Sequence, residues 1–116
     1  MLSRAETRKM MLAIPGATER LWFNKPAVFL HDRFLAKNHD KEEAVTLQVG
    51  SMEMRDMMLQ AEPKLFYITD HYRCYPMMLV RLAKVDPDAL RNLLEEAWRR
   101  SAPKRLIAAR EANRDA

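Results

Sequence analysis

Between Glu19 and Val49 the chain breaks into four short apolar runs joined by links of a few residues. A parallel neighbour needs a crossover of roughly a dozen residues or more, and these links are too short for one. The runs therefore pair as an antiparallel meander. Glu19–Asn24 alternates Leu21 and Phe23 against Arg20, Trp22 and Asn24, and Lys25-Pro26 is expected to break it. Ala27–His31 is an apolar run around Phe29, and His31-Asp32-Arg33 predicts a tight turn. Phe34–His39 pairs back, with Phe34 and Ala36 on one face and Leu35 and Lys37 on the other. Ala44–Val49 has strict period two, so Val45, Leu47 and Val49 point inward while Thr46 and Gln48 point outward.

Helices bracket this region. Ser3 and Glu6 have the spacing of a capping box and open a helix through about Ala13, which Pro15-Gly16 ends. Ser51 caps a methionine-rich helix running to about Ala61, ahead of Pro63. Leu65–Thr69 reads as a strand, Asp70–Pro76 as a loop and Met77–Lys84 as another strand. Asp86-Pro87-Asp88 combines an N-cap, a proline at the first helical position and an acid at the positive dipole end. Leu90, Leu93, Leu94, Ala97 and Trp98 then form a stripe that buries against a sheet. Ser101-Ala102-Pro103 restarts a short terminal helix, with fraying expected past Ala112. The order α-ββββ-α-ββ-α-α indicates an α+β class: a single antiparallel sheet of about six strands, with helices packed mainly on one face. The 116 residues are expected to form one domain, 1–116.

One cysteine excludes a disulfide framework within the chain. No apolar run approaches the ~20 residues that span a bilayer, so no membrane partner is expected. The opening MLSRAETRKMM lacks an apolar h-region, so no signal peptide and a cytoplasmic location are expected. The net charge of +4 is unevenly spread: residues 1–96 carry 14 bases and 14 acids. The excess lies in the basic segment 97–116, where Arg99, Arg100, Lys104, Arg105, Arg110 and Arg114 face Glu111 and Asp115. A basic tail on a neutral body points to a polyanion. The plain alternative is a solvated helix end whose cations complement the dipole.

No catalytic constellation is visible. Gly16 and Gly50 are the only glycines, which removes both phosphate-loop fingerprints and any expected nucleotide cofactor. Cys74 follows His71 by three residues and Arg73 adjoins it, but the stretch lacks a nucleophile signature and Cys74 is expected to be inert. Asp70, His71 and Cys74 are too closely spaced and too solitary for a structural metal site, so no metal is expected. The neighbouring acids Glu42-Glu43 and Glu95-Glu96 point apart and make poor acid–base pairs. The more informative feature is the outward sheet face. Thr46, Gln48, Lys37 and Arg81 are expected there in solvent, with Tyr67 beside them. An open face of cations and an aromatic suits phosphate pairing and base stacking, or is simply solvated. Nine methionines include Met52, Met54, Met57 and Met58, of which Met54 falls off the buried face.

Two stretches carry a family likeness. Glu62-Pro63-Lys64-Leu65-Phe66-Tyr67-Ile68-Thr69-Asp70-His71-Tyr72 leads into Tyr75-Pro76, Leu79-Val80-Arg81-Leu82 and Ala97-Trp98-Arg99 with Ala102-Pro103-Lys104-Arg105. Leu12-Ala13-Ile14-Pro15-Gly16-Ala17-Thr18-Glu19 fits an L-x-x-P-G-x-x-E signature. Together these resemble the MmcQ/YjbR family across nearly the whole chain. The resemblance implies a CyaY-like, double-wing α+β fold, in which helices flank an antiparallel sheet and β-hairpins form the wings. It also implies DNA binding by fold analogy, with no agreed catalytic residues to carry over. Many members have a Trp in the strand before the long helix, where this chain reads Met77-Met78-Leu79-Val80; the segment between Phe34 and Val45 departs from the pattern as well.

The most specific reading is a non-catalytic nucleic-acid (DNA)-binding module of low sequence specificity. Its expected contacts are Arg33, Lys37, Arg73, Arg81, Arg99, Arg100, Lys104 and Arg105. The alternative is a protein-interaction or small-ligand domain without nucleic-acid contact, resting on the methionine-rich helix and on Trp22, Tyr72 and Tyr75. Either DNA or another protein is the expected partner, and the expected state is a monomer or weak homodimer.

Overall fold

Local capping sets the helices. In α1 (Arg4–Leu12) Ser3 and Glu6 exchange both bonds of the capping box. Ser51 caps α2 (Met52–Ala61) by accepting from the Met54 amide, and Asp86 caps α3 (Pro87–Ser101) by accepting from Ala89. After Ala102-Pro103 the chain restarts as α4 (Lys104–Asp115). The computed structural model describes residues 1–115, with side chains through Ala112. The fraying expected past Ala112 is not seen, since α4 continues to Asp115; the Arg114 and Asp115 side chains lie outside the described residues.

Six strands form one antiparallel sheet: β1 (Ala17–Trp22), β2 (Lys25–Leu30), β3 (Arg33–Asn38), β4 (Ala44–Gln48), β5 (Phe66–Tyr67) and β6 (Met77–Arg81). Their spatial order is β1-β2-β3-β4-β6-β5, so the meander runs unbroken from β1 to β4. Strand edges differ from expectation in two instructive places. Lys25-Pro26 does not break a strand; it begins β2, and the turn is Phe23-Asn24, with φ of 52° and 63°. Positive φ at both central residues is the requirement of a type I′ hairpin. Pro26 is tolerated because β2 pairs with β3 only from Val28 onward, so no β3 carbonyl awaits its missing N–H. Second, Val28 pairs with Ala36 and Phe29 with Phe34, leaving Leu35 as a bulge. The bulge breaks the alternation expected for Phe34–His39, and Phe34, Leu35 and Ala36 are all buried.

One face of the sheet carries the main core. Val28, Leu30, Val45, Leu47, Met78 and Val80 pack there against Met11 of α1 and against Leu90, Leu94, Ala97 and Trp98 of α3. The α3 stripe lies where its spacing predicts. Trp98 is fully buried, and its indole Nε1–H donates to the Pro15 carbonyl at 2.9 Å, tying α3 to the turn after α1. Helix α2 lies beside β5 and β6, with Met58 and Leu59 packed onto this core. No described helix is long and apolar enough to cross a membrane.

Candidate functional site

The opposite face was expected to be open, and it is not. Strand register does place Lys37, Thr46, Leu79 and Tyr67 together on it. However, the segment after β5 folds over this face through a 3-10 turn, η1 (Asp70–Tyr72). Thr46 is buried, with its hydroxyl 3.4 Å from the Tyr72 hydroxyl, and Tyr72 packs with Ala44 and Leu79. The expectation of a solvated polar face fails because strand periodicity says nothing about a distant loop.

Arg55 holds that loop down. It is 6% exposed, and its Nη1 donates to the carbonyls of Tyr72, Arg73 and Tyr75 at 2.9, 3.0 and 3.0 Å. Its other donors bind Asp56 Oδ1. A buried guanidinium is acceptable only when so fully engaged.

Beyond the loop, this face hollows into a cup of about 560 Å³. That volume is ordinary for a ligand site. One wall is the β1–β2 hairpin tip, Trp22, Phe23 and Lys25. The facing wall is His71, Tyr72 and Tyr75, with Met77 between. The end of β3 supplies Lys37, His39, Asp40 and Lys41. Trp22 is stacked on Phe34 at 4.6 Å and 28°, and meets Phe29 edge-on at 6.0 Å. Phe23 leans on Trp22 at 5.3 Å yet is 84% exposed. Tyr75 is 50% exposed and lies 6.2 Å from the His71 ring.

The rim of the cup is cationic. Asp40 is the one acid lining it and pairs with Lys37 at 3.4 Å. Lys25 and Lys41 are exposed and have no ion pair among the described residues. His39 Nδ1 accepts the Lys41 and Glu42 amides at 3.1 and 3.0 Å, which leaves the proton of the neutral ring on Nε2. Burial holds His39 below its ordinary pKa, opposed by the nearby Asp40 carboxylate.

The other expected contacts scatter. Arg33, Arg100 and Lys104 line a shallow depression of about 510 Å³ where the β2–β3 turn meets the α3–α4 junction, at the far end of the hairpin from the cup. Arg100 donates to the Gln48 carbonyl at 3.1 Å, and its Cδ packs where a Cβ on Gly50 (φ +89°) would stand at 3.0 Å. Arg99 is paired with Glu95 and Glu111, and Arg110 with Glu95 while lying over Trp98. Two of the tail's arginines thus pair with acids of their own helices. Lys104 and Arg105 remain exposed. Arg73 pairs with Asp70 at 2.8 Å. Arg81 stacks over Tyr67 at 4.0 Å, and the Tyr67 hydroxyl donates to Glu42. Of the expected contacts, only Lys37 lies in the cup.

Sequence reasoning missed Lys25, Lys41, Phe23 and Arg55 as site residues, whereas Trp22, Tyr72 and Tyr75, expected as aromatic candidates of a ligand or protein site, do meet in the cup. Asn24, a residue that tolerates positive φ, was the available signal that the Trp22–Lys25 stretch is a hairpin tip. Nothing local marks Arg55. Cys74 is exposed, with no hydrogen bond to His71 among the described residues. No group of three His, Cys, Asp or Glu side chains among the described residues is placed to hold a metal ion. Met52, Met54 and Met57 are exposed along α2.

The YjbR family model matches residues 12–100. The chain belongs to the YjbR family. That match takes in the sheet, the loop over its second face and α3 nearly to its end. The chain is 35% identical over 71 residues to uncharacterized protein Rv2570 of Mycobacterium tuberculosis and to uncharacterized protein Mb2600 of Mycobacterium bovis. The match covers 61% of this chain and 55% of each relative, so the chain aligns with about half the length of these relatives. No solved structure matches the chain significantly.

Proposed function

We propose that this YjbR-family chain is a non-catalytic nucleic-acid-binding module of low sequence specificity, and that its footprint is the cup. The observation that carries the reading is the meeting, in one concavity, of unpaired lysines with exposed aromatic rings. Lysines bind phosphates through charge and carry no base information, while rings stack on any base. No helix is presented for groove reading beside the cup, which is why low specificity follows. The basic tail is a poorer footprint, because Arg99 and Arg110 already hold Glu95 and Glu111.

A salt titration of binding to DNA tests this. With Lys25 and Lys41 each meeting a phosphate, log K falls against log salt with a slope of about −1.4 on single strands and about −1.8 on duplex. The Lys25→Gln/Lys41→Gln variant flattens that slope by about two contacts. The Lys104→Gln/Arg105→Gln variant leaves it unchanged. Absence of binding to either form at low salt sinks the reading and favours a protein or small-ligand partner.

A further inference from the structure

Resting on that reading, we propose that the cup receives an unpaired nucleobase between Phe23 and Tyr75, so that the chain prefers single strands to duplex. Phe23 is the starting point. A bulky residue at positive φ is a backbone outlier, and such conformations persist where function requires them. Here the outlier is also an apolar ring at 84% exposure, with φ of 52°. The turn requires positive φ but not a bulky apolar ring: an asparagine at this position costs less strain and exposes no apolar surface.

The surroundings are prepared for a flat ring. Trp22 is pinned by Phe34 and Phe29, so the Phe23 side of the cup has a rigid base. On the loop side, the carbonyls of Tyr72 and Tyr75 are clamped by Arg55, which fixes the backbone from which the half-exposed Tyr75 ring projects. In duplex DNA each base is already stacked on both faces and paired at its edge. It reaches such a cup only by flipping out, which costs its stacking and pairing. A single strand presents its bases freely, and Lys25 and Lys41 stand at the rim to take the adjoining phosphates.

Titration of tryptophan fluorescence separates the outcomes, because Trp98 is fully buried and Trp22 borders the cup. The probes are a short oligothymidylate, an abasic strand of equal length and charge, a mixed-sequence duplex and thymidine monophosphate. The oligothymidylate is expected to bind most tightly and to quench Trp22. Phe23→Asn and Tyr75→Ala each weaken it roughly 5- to 100-fold with the salt slope unchanged. Phe23→Asn suits the turn, so its thermal midpoint holds or rises, which separates lost stacking from lost folding. Abasic binding equal to oligothymidylate, duplex binding equal to or tighter than single-strand binding, or affinity untouched in Phe23→Asn, overturns base insertion while leaving the nucleic-acid reading intact. Monophosphate binding as tight as the strand makes the ligand a free nucleotide and overturns it too. If neither strand nor duplex binds at low salt, both readings fall together.

Discussion

The two faces of the sheet are built differently. The first is covered by α1 and α3, and its side chains join one continuous core from Leu2 to Trp98. The second is covered by side chains and one loop. It carries two small clusters, Ala27–Phe29–Phe34 with Trp22 and Ala44–Tyr72–Leu79 with Tyr67, each touching Met77. Helices supply wide apolar stripes and finish a face, whereas a loop covers only the strands it crosses. The second face is left with a cup in which Trp22 and Tyr72 are packed from behind while Phe23 and Tyr75 stand exposed. Function in small folds concentrates on such surfaces, held by a rigid scaffold but not sealed by it.

This contrast is open to attack by mutation. Trp98→Ala removes the largest fully buried side chain and leaves the Pro15 carbonyl without its donor. It should cost about 3–5 kcal/mol by urea denaturation, or abolish cooperative unfolding outright. Arg55→Met strands three carbonyls and should cost about 2–3 kcal/mol. Amide exchange should then rise in residues 70–76 while α3 stays protected, with single-strand binding weakened alongside. Equal loss of protection on both faces would mean the loop is no separate unit. Trp22→Ala should cost roughly 1–2 kcal/mol, chiefly its stack on Phe34, and should weaken binding far more than it weakens folding. A cost matching that of Trp98→Ala breaks the comparison.

The smallest effect is a pH dependence. Burial lowers the His39 pKa from its ordinary 6.5, so the unfolded chain takes up this proton first as pH falls. Its contribution to stability is therefore complete above about pH 6.5 and is lost as pH drops from there through the folded-state value. His39→Asn keeps an acceptor for the Lys41 and Glu42 amides but cannot titrate. Urea midpoints between about pH 7 and pH 5 should fall less steeply in that variant than in wild type.

Much of the fold was legible in the sequence because its signals are local. The caps at Ser3, Ser51 and Asp86 act within one helical turn, and each stands where its spacing predicts. The short links fix antiparallel pairing. The hairpin boundary was misread because Pro26 is a strong breaker in isolation, and only the sheet reveals that β3 has already parted from β2 there. The bulge at Leu35 was invisible for the same reason, since an unpaired residue is defined by its partner strand. The site was legible in its aromatic part, since Trp22, Tyr72 and Tyr75 all line the cup, but not in its lysines. Lys25, Lys41, His71 and Tyr75 are far apart in sequence and meet only through the hairpin and the loop. The charge count pointed to the tail, where the structure pairs two of those arginines, Arg99 and Arg110, with acids on α3 and α4.

By itself, then, the sequence determined the α+β class, the meander, the capped helices and the apolar stripe of α3. Each of these follows from periodicity, turn length or capping within a few residues. The tertiary structure decided what lies over the second sheet face. Period two divides a strand into two sides without saying what will cover either. Here that depended on one guanidinium, Arg55, reaching three carbonyls about 20 residues away in the chain.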